Sequence, residues 1–290
     1  MSSKFLIIGD LHGNMPKIYF KDFDYIIAPG DFCSDALRKY MFQALQQKLN
    51  DSKSKVNWYD LVGKKRAKKM VDKSLKDGRK ILEFLNSFNK PIILVPGNWD
   101  WTEDGDSSWS YLRKDHYSKL INGLKNLNDV YHSLLIDDKV CFLGHGISSG
   151  PEYPQYKEDL KRYTKTELKD LKKNYNLVMK NLGTLFQFAG KTKKPIIFVS
   201  HNVPFNTPID KITDRKSPRY GYHYGSLVAK ELTLKYQPLV CIGGHMHEHF
   251  KSIKLGKTVC INSGFGSYVN TFLEIEGNKI KKLKFHRGKS

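Results

Sequence analysis

Asp10-Leu11-His12 sets a carboxylate and an imidazole two residues apart, and His245-Met246-His247 repeats the spacing with two imidazoles. If the chain stays extended there, residues two apart point to one side, so each triplet offers a compact pair of metal ligands. Asp31 follows Pro29-Gly30, and a carboxylate can bridge two ions where a single imidazole nitrogen cannot. Asn98, in the run Pro96-Gly97-Asn98-Trp99-Asp100, offers a neutral carbonyl oxygen that adds no charge to repel a phosphate. His201, between Ser200 and Asn202-Val203-Pro204, supplies a further imidazole. Taken singly, Asp or Asn after Gly is ordinary turn chemistry, and a lone histidine in a turn is more often structural. Taken together, Asp10, His12, Asp31, Asn98, His201, His245 and His247 form the ligand set expected of a two-ion centre.

These residues need elements that end at one place. Short apolar runs precede nearly all of them: FLII before Gly9-Asp10, YIIAP before Gly30-Asp31, PIILVP before Gly97-Asn98, PIIFVS before His201 and PLVCIGG before His245. KVCFLG before His145 is a sixth. Each reads as a strand buried on both faces, and in open α/β sheets ligands bind at the carboxyl ends of the strands. Residues 64–89 (Val71, Leu75, Leu82, Leu85, Phe88) and 164–188 (Leu168, Leu171, Tyr175, Val178, Leu182, Leu185) carry helical periodicity, the second opening on a Thr164/Glu167 capping box. After His247, turns at Leu255-Gly256-Lys257 and Glu276-Gly277-Asn278 predict a C-terminal antiparallel meander. No repeat or linker divides the chain, so 1–290 is expected to be one α/β domain with helical insertions at about 36–90 and 152–190.

The 290 residues carry 49 Lys plus Arg against 29 Asp plus Glu, a formal charge of +20 that draws in anions such as nucleotides, phosphorylated metabolites or nucleic acid. Because the lysines are spread along the chain, a generally basic solvated surface explains the excess equally well. Cys33, Cys141, Cys241 and Cys260 form no CxxC pair and read as small apolar packing groups. The four-residue apolar run before Gly9 is too short for a signal peptide and no later run is long enough for a membrane span, so a cytoplasmic protein is expected. Nothing in the sequence fixes the oligomeric state.

GDLHGN (9–14), GD (30–31), GNWD (97–100), SHNVP (200–204) and GGHMH (243–247) resemble, in order and roughly in spacing, the five blocks of the calcineurin-like metallophosphoesterases. YGS (224–226), GKT (256–258) and INSG (261–264) are similar to the small bacterial and archaeal members. The resemblance implies a four-layer αββα sandwich of two mixed sheets flanked by helices. It implies two divalent transition ions (Mn, Fe, Zn or Ni), one held by Asp10, His12, Asp31 and His247 and the other by Asp31, Asn98, His201 and His245. The reaction implied is hydrolysis of phosphomono- or phosphodiesters by a metal-bridging hydroxide, with Asp31 and Asn98 at the reacting centre and a phosphorylated small molecule or nucleotide as substrate. A catalytically weak binding or scaffold protein on the same fold, or a nuclease acting on nucleic acid, is the alternative. Asp100 and Asn14 are expected behind the ligands, with Asn14 also near the phosphate. Many members have histidine where this chain has Trp99, and an indole cannot act as a general acid. His223 is the first choice of substitute proton donor, with His145 also a candidate for that role or for the place of His201.

Overall fold

The computed structural model describes residues 2–51, 54–103, 109–217 and 219–289. Ser52 and Lys53, within the first expected insertion, lie outside the described residues. The chain runs β1 (Ser2–Ile7), β2 (Tyr25–Ala28), α1 (Arg38–Asn50), α2 (Trp58–Val62), α3 (Lys64–Asn86), β3 (Ile92–Leu94), α4 (Tyr117–Ile121), β4 (Leu127–Asp129), β5 (Leu134–Ile136) and β6 (Cys141–His145). It continues through α5 (Lys157–Leu160), α6 (Lys165–Lys191), β7 (Ile196–Asn202), α7 (Leu227–Tyr236), β8 (Val240–Gly244), β9 (Lys251–Leu255), β10 (Thr258–Asn262), β11 (Val269–Glu276) and β12 (Lys279–Arg287).

Two mixed six-stranded sheets result, ordered β12-β11-β1-β2-β3-β4 and β5-β6-β7-β8-β10-β9. Alternation along the strands builds four layers. Phe5, Ile7, Ile27 and Ile93 meet Phe142, Ile197, Val199 and Ile242 between the sheets. The intervening Leu6, Ile8, Ile26 and Leu94 point the other way, onto Ile81, Leu82 and Leu85 of α3. On the far side Leu143, Phe198 and Cys241 pack against Leu182 and Phe186 of α6 and Val228 and Leu232 of α7. The four cysteines are free and buried in these layers.

Thr164 opens α6 as the sequence predicts: Glu167 N–H donates to its Oγ1 at 3.2 Å while its own N–H donates to Glu167 Oε2 at 2.7 Å. The C-terminal meander is not one unit. Its two hairpins form, but β10 pairs in parallel with β8 while β11 pairs antiparallel with β1, so they belong to different sheets. The reason lies in burial: β11 is buried over its first five residues, which a shared edge meander could not provide. Among the described residues no helix is long and apolar enough to cross a membrane.

Candidate metal centre

β1, β2 and β3 run parallel in one sheet and β6, β7 and β8 in the other. The loops leaving them are laced together: Asp10 N–H donates to Gly30 O at 3.0 Å, His12 N–H to Asp31 O at 2.9 Å and Asp31 N–H to Asp100 Oδ2 at 2.8 Å. Asp100 also accepts from Gly97, Phe32 and Cys33, so it ties the second loop to the third through main-chain donors.

The ligand pairs do not arise from extended chain. Asp10, His12, Asp31 and His245 have φ of 51°, 47°, 57° and 63°, the left-handed region that Asp and His enter more readily than most residues. Each triplet is therefore a tight turn, and the turn brings its side chains inward. Close approach explains two glycines beside them: a methyl group on Gly244 would overlap Asp10 Oδ2, and one on Gly97 would overlap Asp31 Oδ1.

Asp10, His12 and His247 bring one ligand atom each within 4.8 Å of one another, as do Asp31, His201 and His245. Asp31 lies between the groups, with Oδ2 3.6 Å from His12 Nε2 and 3.5 Å from His201 Nε2. Its Oδ1 accepts from Trp99 N–H at 2.8 Å. Asp10 Oδ2 accepts from His245 N–H at 2.7 Å. The remaining oxygens, Asp10 Oδ1 and Asp31 Oδ2, are buried without a hydrogen-bond donor among the described residues. His201 donates from Nδ1 to Pro29 O at 2.8 Å, which leaves a lone pair on Nε2, 2.9 Å from Asn98 Oδ1. His12 and His247 face each other through Nε2 atoms 3.2 Å apart. Phe265 stacks on His247 with centroids 3.9 Å apart.

Burial, followed by neighbouring imidazoles and Arg38, lowers His12 and His247 to about 2 and His245 to about 3. Burial likewise lowers His201 to about 4. All four imidazoles are neutral near pH 7, with no proton to displace from a ligating nitrogen. Burial raises Asp31 to about 7, and burial with the charge of Asp31 raises Asp10 well above the usual carboxylate range. Excess buried acceptors facing neutral imidazoles are what a divalent cation would relieve, and mixed imidazole and carboxylate donors suit transition ions.

A cavity of about 670 Å³ opens over these groups, lined by His12, Asp31, Asn98, Trp99, His245 and His247. Arg38 also lines it, its guanidinium 5.9 Å over the Trp99 ring and paired with Asp35 at 2.8 Å. Sequence reasoning missed Arg38 because it is one cation among many in a basic insertion. His223 is not among the residues lining this cavity, and its Nδ1 sits 2.7 Å from Asp210 Oδ1. His145 bonds Glu152 and His132 instead. Asn14 donates to the carbonyls of Leu11 and His12, holding the first turn.

Imidazole and carboxylate groups that could hold metal ions thus gather where the carboxyl ends of the parallel strands of the two sheets meet. Residues 3–249 match the profile of the calcineurin-like phosphoesterases, and the chain belongs to that family. The protein TT1561 of Thermus thermophilus shares the fold at a TM-score of 0.54, with 13% identity over 99% of both chains. The phosphopantetheinyl hydrolase of Mycobacterium tuberculosis aligns at 0.52, with 12% identity over 91% of this chain and 90% of that one. A further solved chain reaches 0.62 with 14% identity over 99% of both. At these identities the likeness concerns the fold alone. No curated protein matches the sequence significantly.

Proposed function

We propose that this chain is a dinuclear metal-dependent phosphoesterase acting on phosphomono- or phosphodiesters through a single domain spanning 1–290. Asp10, His12, Asp31 and His247 would hold one divalent ion, and Asp31, Asn98, His201 and His245 the other. The observation that carries this reading is Asp31 Oδ2, a buried acceptor with an imidazole nitrogen about equally far on either side. Two ions bound there would supply Lewis acidity that activates water and neutralises phosphoryl charge.

The chain's own residues do the rest. Pro29 O and the Ser149 main chain hold the His201 and His245 rings in orientation. Arg38 brings a permanent cation to the cavity, placed to hold a non-bridging phosphoryl oxygen. Trp99 takes the place where an acid would be useful, and its indole only walls the site. With His223 not among the residues lining the cavity, protonation of the leaving group falls to solvent, which favours substrates whose leaving groups are acidic. Elemental analysis after Mn²⁺ loading, paired with hydrolysis of an aryl phosphate, tests the reading. Two ions per chain with turnover are expected; one ion, or none, with intact Asp31 would end it.

A further inference from the structure

Helix α1 turns one stripe of its surface into the same cavity. Arg38, Met41, Phe42, Leu45 and Gln46 all line it, at offsets of three, four, seven and eight that fall on one helical face. Ala44, off that stripe, is buried in the aromatic cluster of Trp58 and Tyr59. The stripe is polarised along its length. Arg38 stands at the metal-ligand end, its guanidinium over the ring of Trp99, whose main-chain N–H donates to Asp31 Oδ1. Met41, Phe42 and Leu45 then lead away from that end, and Phe42 keeps 49% of its surface exposed. Ile212 adds an apolar group to the cavity wall, and Lys216 adds a cation. From Arg38 to Leu45 is seven residues, or roughly 10 Å along the helix.

We propose that this stripe binds the organic part of the substrate, and that the substrate is an amphiphilic phosphate ester carrying an alkyl or acyl chain. The proposal rests on the phosphoesterase reading for where the phosphate lies. With the phosphoryl group at Arg38 and the ligand residues, an apolar chain leaving it along α1 covers Met41, Phe42 and Leu45. A sugar laid on the same three side chains would leave hydroxyls without partners, which is unfavourable. The cation-then-apolar order of the stripe matches the anion-then-apolar order of such an ester.

Isothermal titration of the Mn²⁺-loaded protein with n-alkylphosphonates, from methyl to dodecyl, tests this without turnover. Affinity should rise about two- to fourfold per methylene and level off once the chain exceeds roughly 10 Å, the length of the stripe. Phe42→Ser and Leu45→Gln should each flatten the series while leaving metal content and methylphosphonate binding unchanged. A flat series in the unaltered protein overturns the proposal, even if aryl phosphates are cleaved. An equal slope in both variants overturns it too. A rising series that the variants flatten supports it even without hydrolysis, in which case the phosphoesterase reading alone fails. A dimer that Phe42→Ser converts to monomer overturns it, because a second copy then covers the stripe.

Discussion

His145 and His201 lie at the carboxyl ends of neighbouring parallel strands, His145 the last residue of β6 and His201 the last but one of β7, yet they stand in opposite chemical situations. His145 places Nε2 3.0 Å from Glu152 Oε1 and Nδ1 3.1 Å from His132 Nε2. Glu152 also accepts from Ser226 Oγ and from the N–H groups of Leu227 and Val228 at the start of α7. Donors and acceptors match around it, so the network closes on itself. Around His201 they do not match: Asn98 Oδ1, Asp31 Oδ2 and the ring Nε2 all bring lone pairs to one region. The titrations follow. Burial alone would raise Glu152, but His145 and Ser226 hold it below the usual carboxylate range, whereas burial wins at Asp31 and carries it to about 7. The same residue types make a self-contained brace in one place and a candidate cation site in the other, and the donor balance tells them apart.

Asp31→Asn should break the comparison hardest. Loss of a shared ligand is expected to cost metal affinity more than the ~100-fold typical of residues behind the ligands, with hydrolysis lost in step. Two retained ions by elemental analysis would show that Asp31 is not shared. Arg38→Ala should leave the metals in place and lower kcat/KM for phosphate esters about 10- to 100-fold, the worth of charged hydrogen bonds. An unchanged kcat/KM would remove Arg38 from the site.

Glu152→Ala probes the closed network. It strips a shared acceptor from several buried donors, so denaturant unfolding should show a loss of about 1–3 kcal/mol with metal content unaltered. Loss of metal instead would join the two regions into one site.

The two regions should also respond to pH with opposite sign. Asp31 and Asp100 are both raised to about 7, first by burial. In the metal-free protein their contribution is present below the ordinary carboxylate pKa and lost as pH rises through about 7. Glu152 is depressed from 4.5, so its contribution is present above that value and lost as pH falls below it. The four imidazoles, lowered by burial to between about 2 and about 4, act in the opposite sense below the ordinary histidine value of 6.5. Thermal midpoints of metal-free protein should therefore fall between about pH 6.5 and pH 8, where only the carboxylates still titrate, and Mn²⁺ should raise them more at pH 8. A metal-induced gain that is the same at both pH values would count against carboxylates waiting for a cation. The smallest effect is expected from His223→Ala. Its ring is held by Asp210 outside the cavity lining, so alkyl and aryl substrates should both change less than about threefold, far below the ~10²–10⁴ of a proton donor. A selective loss on alkyl esters would return the donor role to it.

The strand framework and the long helices α3 and α6 could be read from sequence because each buried surface imposes its own period, continuous apolar runs for inner strands and three-four spacing for helices. The short edge strands β4 and β5 could not, since three residues carry no period. The types and strand-end positions of the seven proposed ligands were equally legible, because Gly-Asp, Gly-Asn and His-x-His leave few other readings when they recur together. Only the tertiary structure decided the rest. The left-handed turns at Asp10, His12, Asp31 and His245 depend on hydrogen bonds between loops distant in sequence, so an extended-chain argument found the pairs but not their geometry. His145 and His201 look alike as strand-end histidines, and partners 7 residues away at Glu152 and 172 away at Pro29 separate them. The two C-terminal hairpins are local, but their division between sheets depends on which neighbour, β1 or β8, buries them. Arg38 was one of 49 basic residues until the placement of α1 set it over Trp99, because a side chain's surroundings come from packing and not from its own spacing.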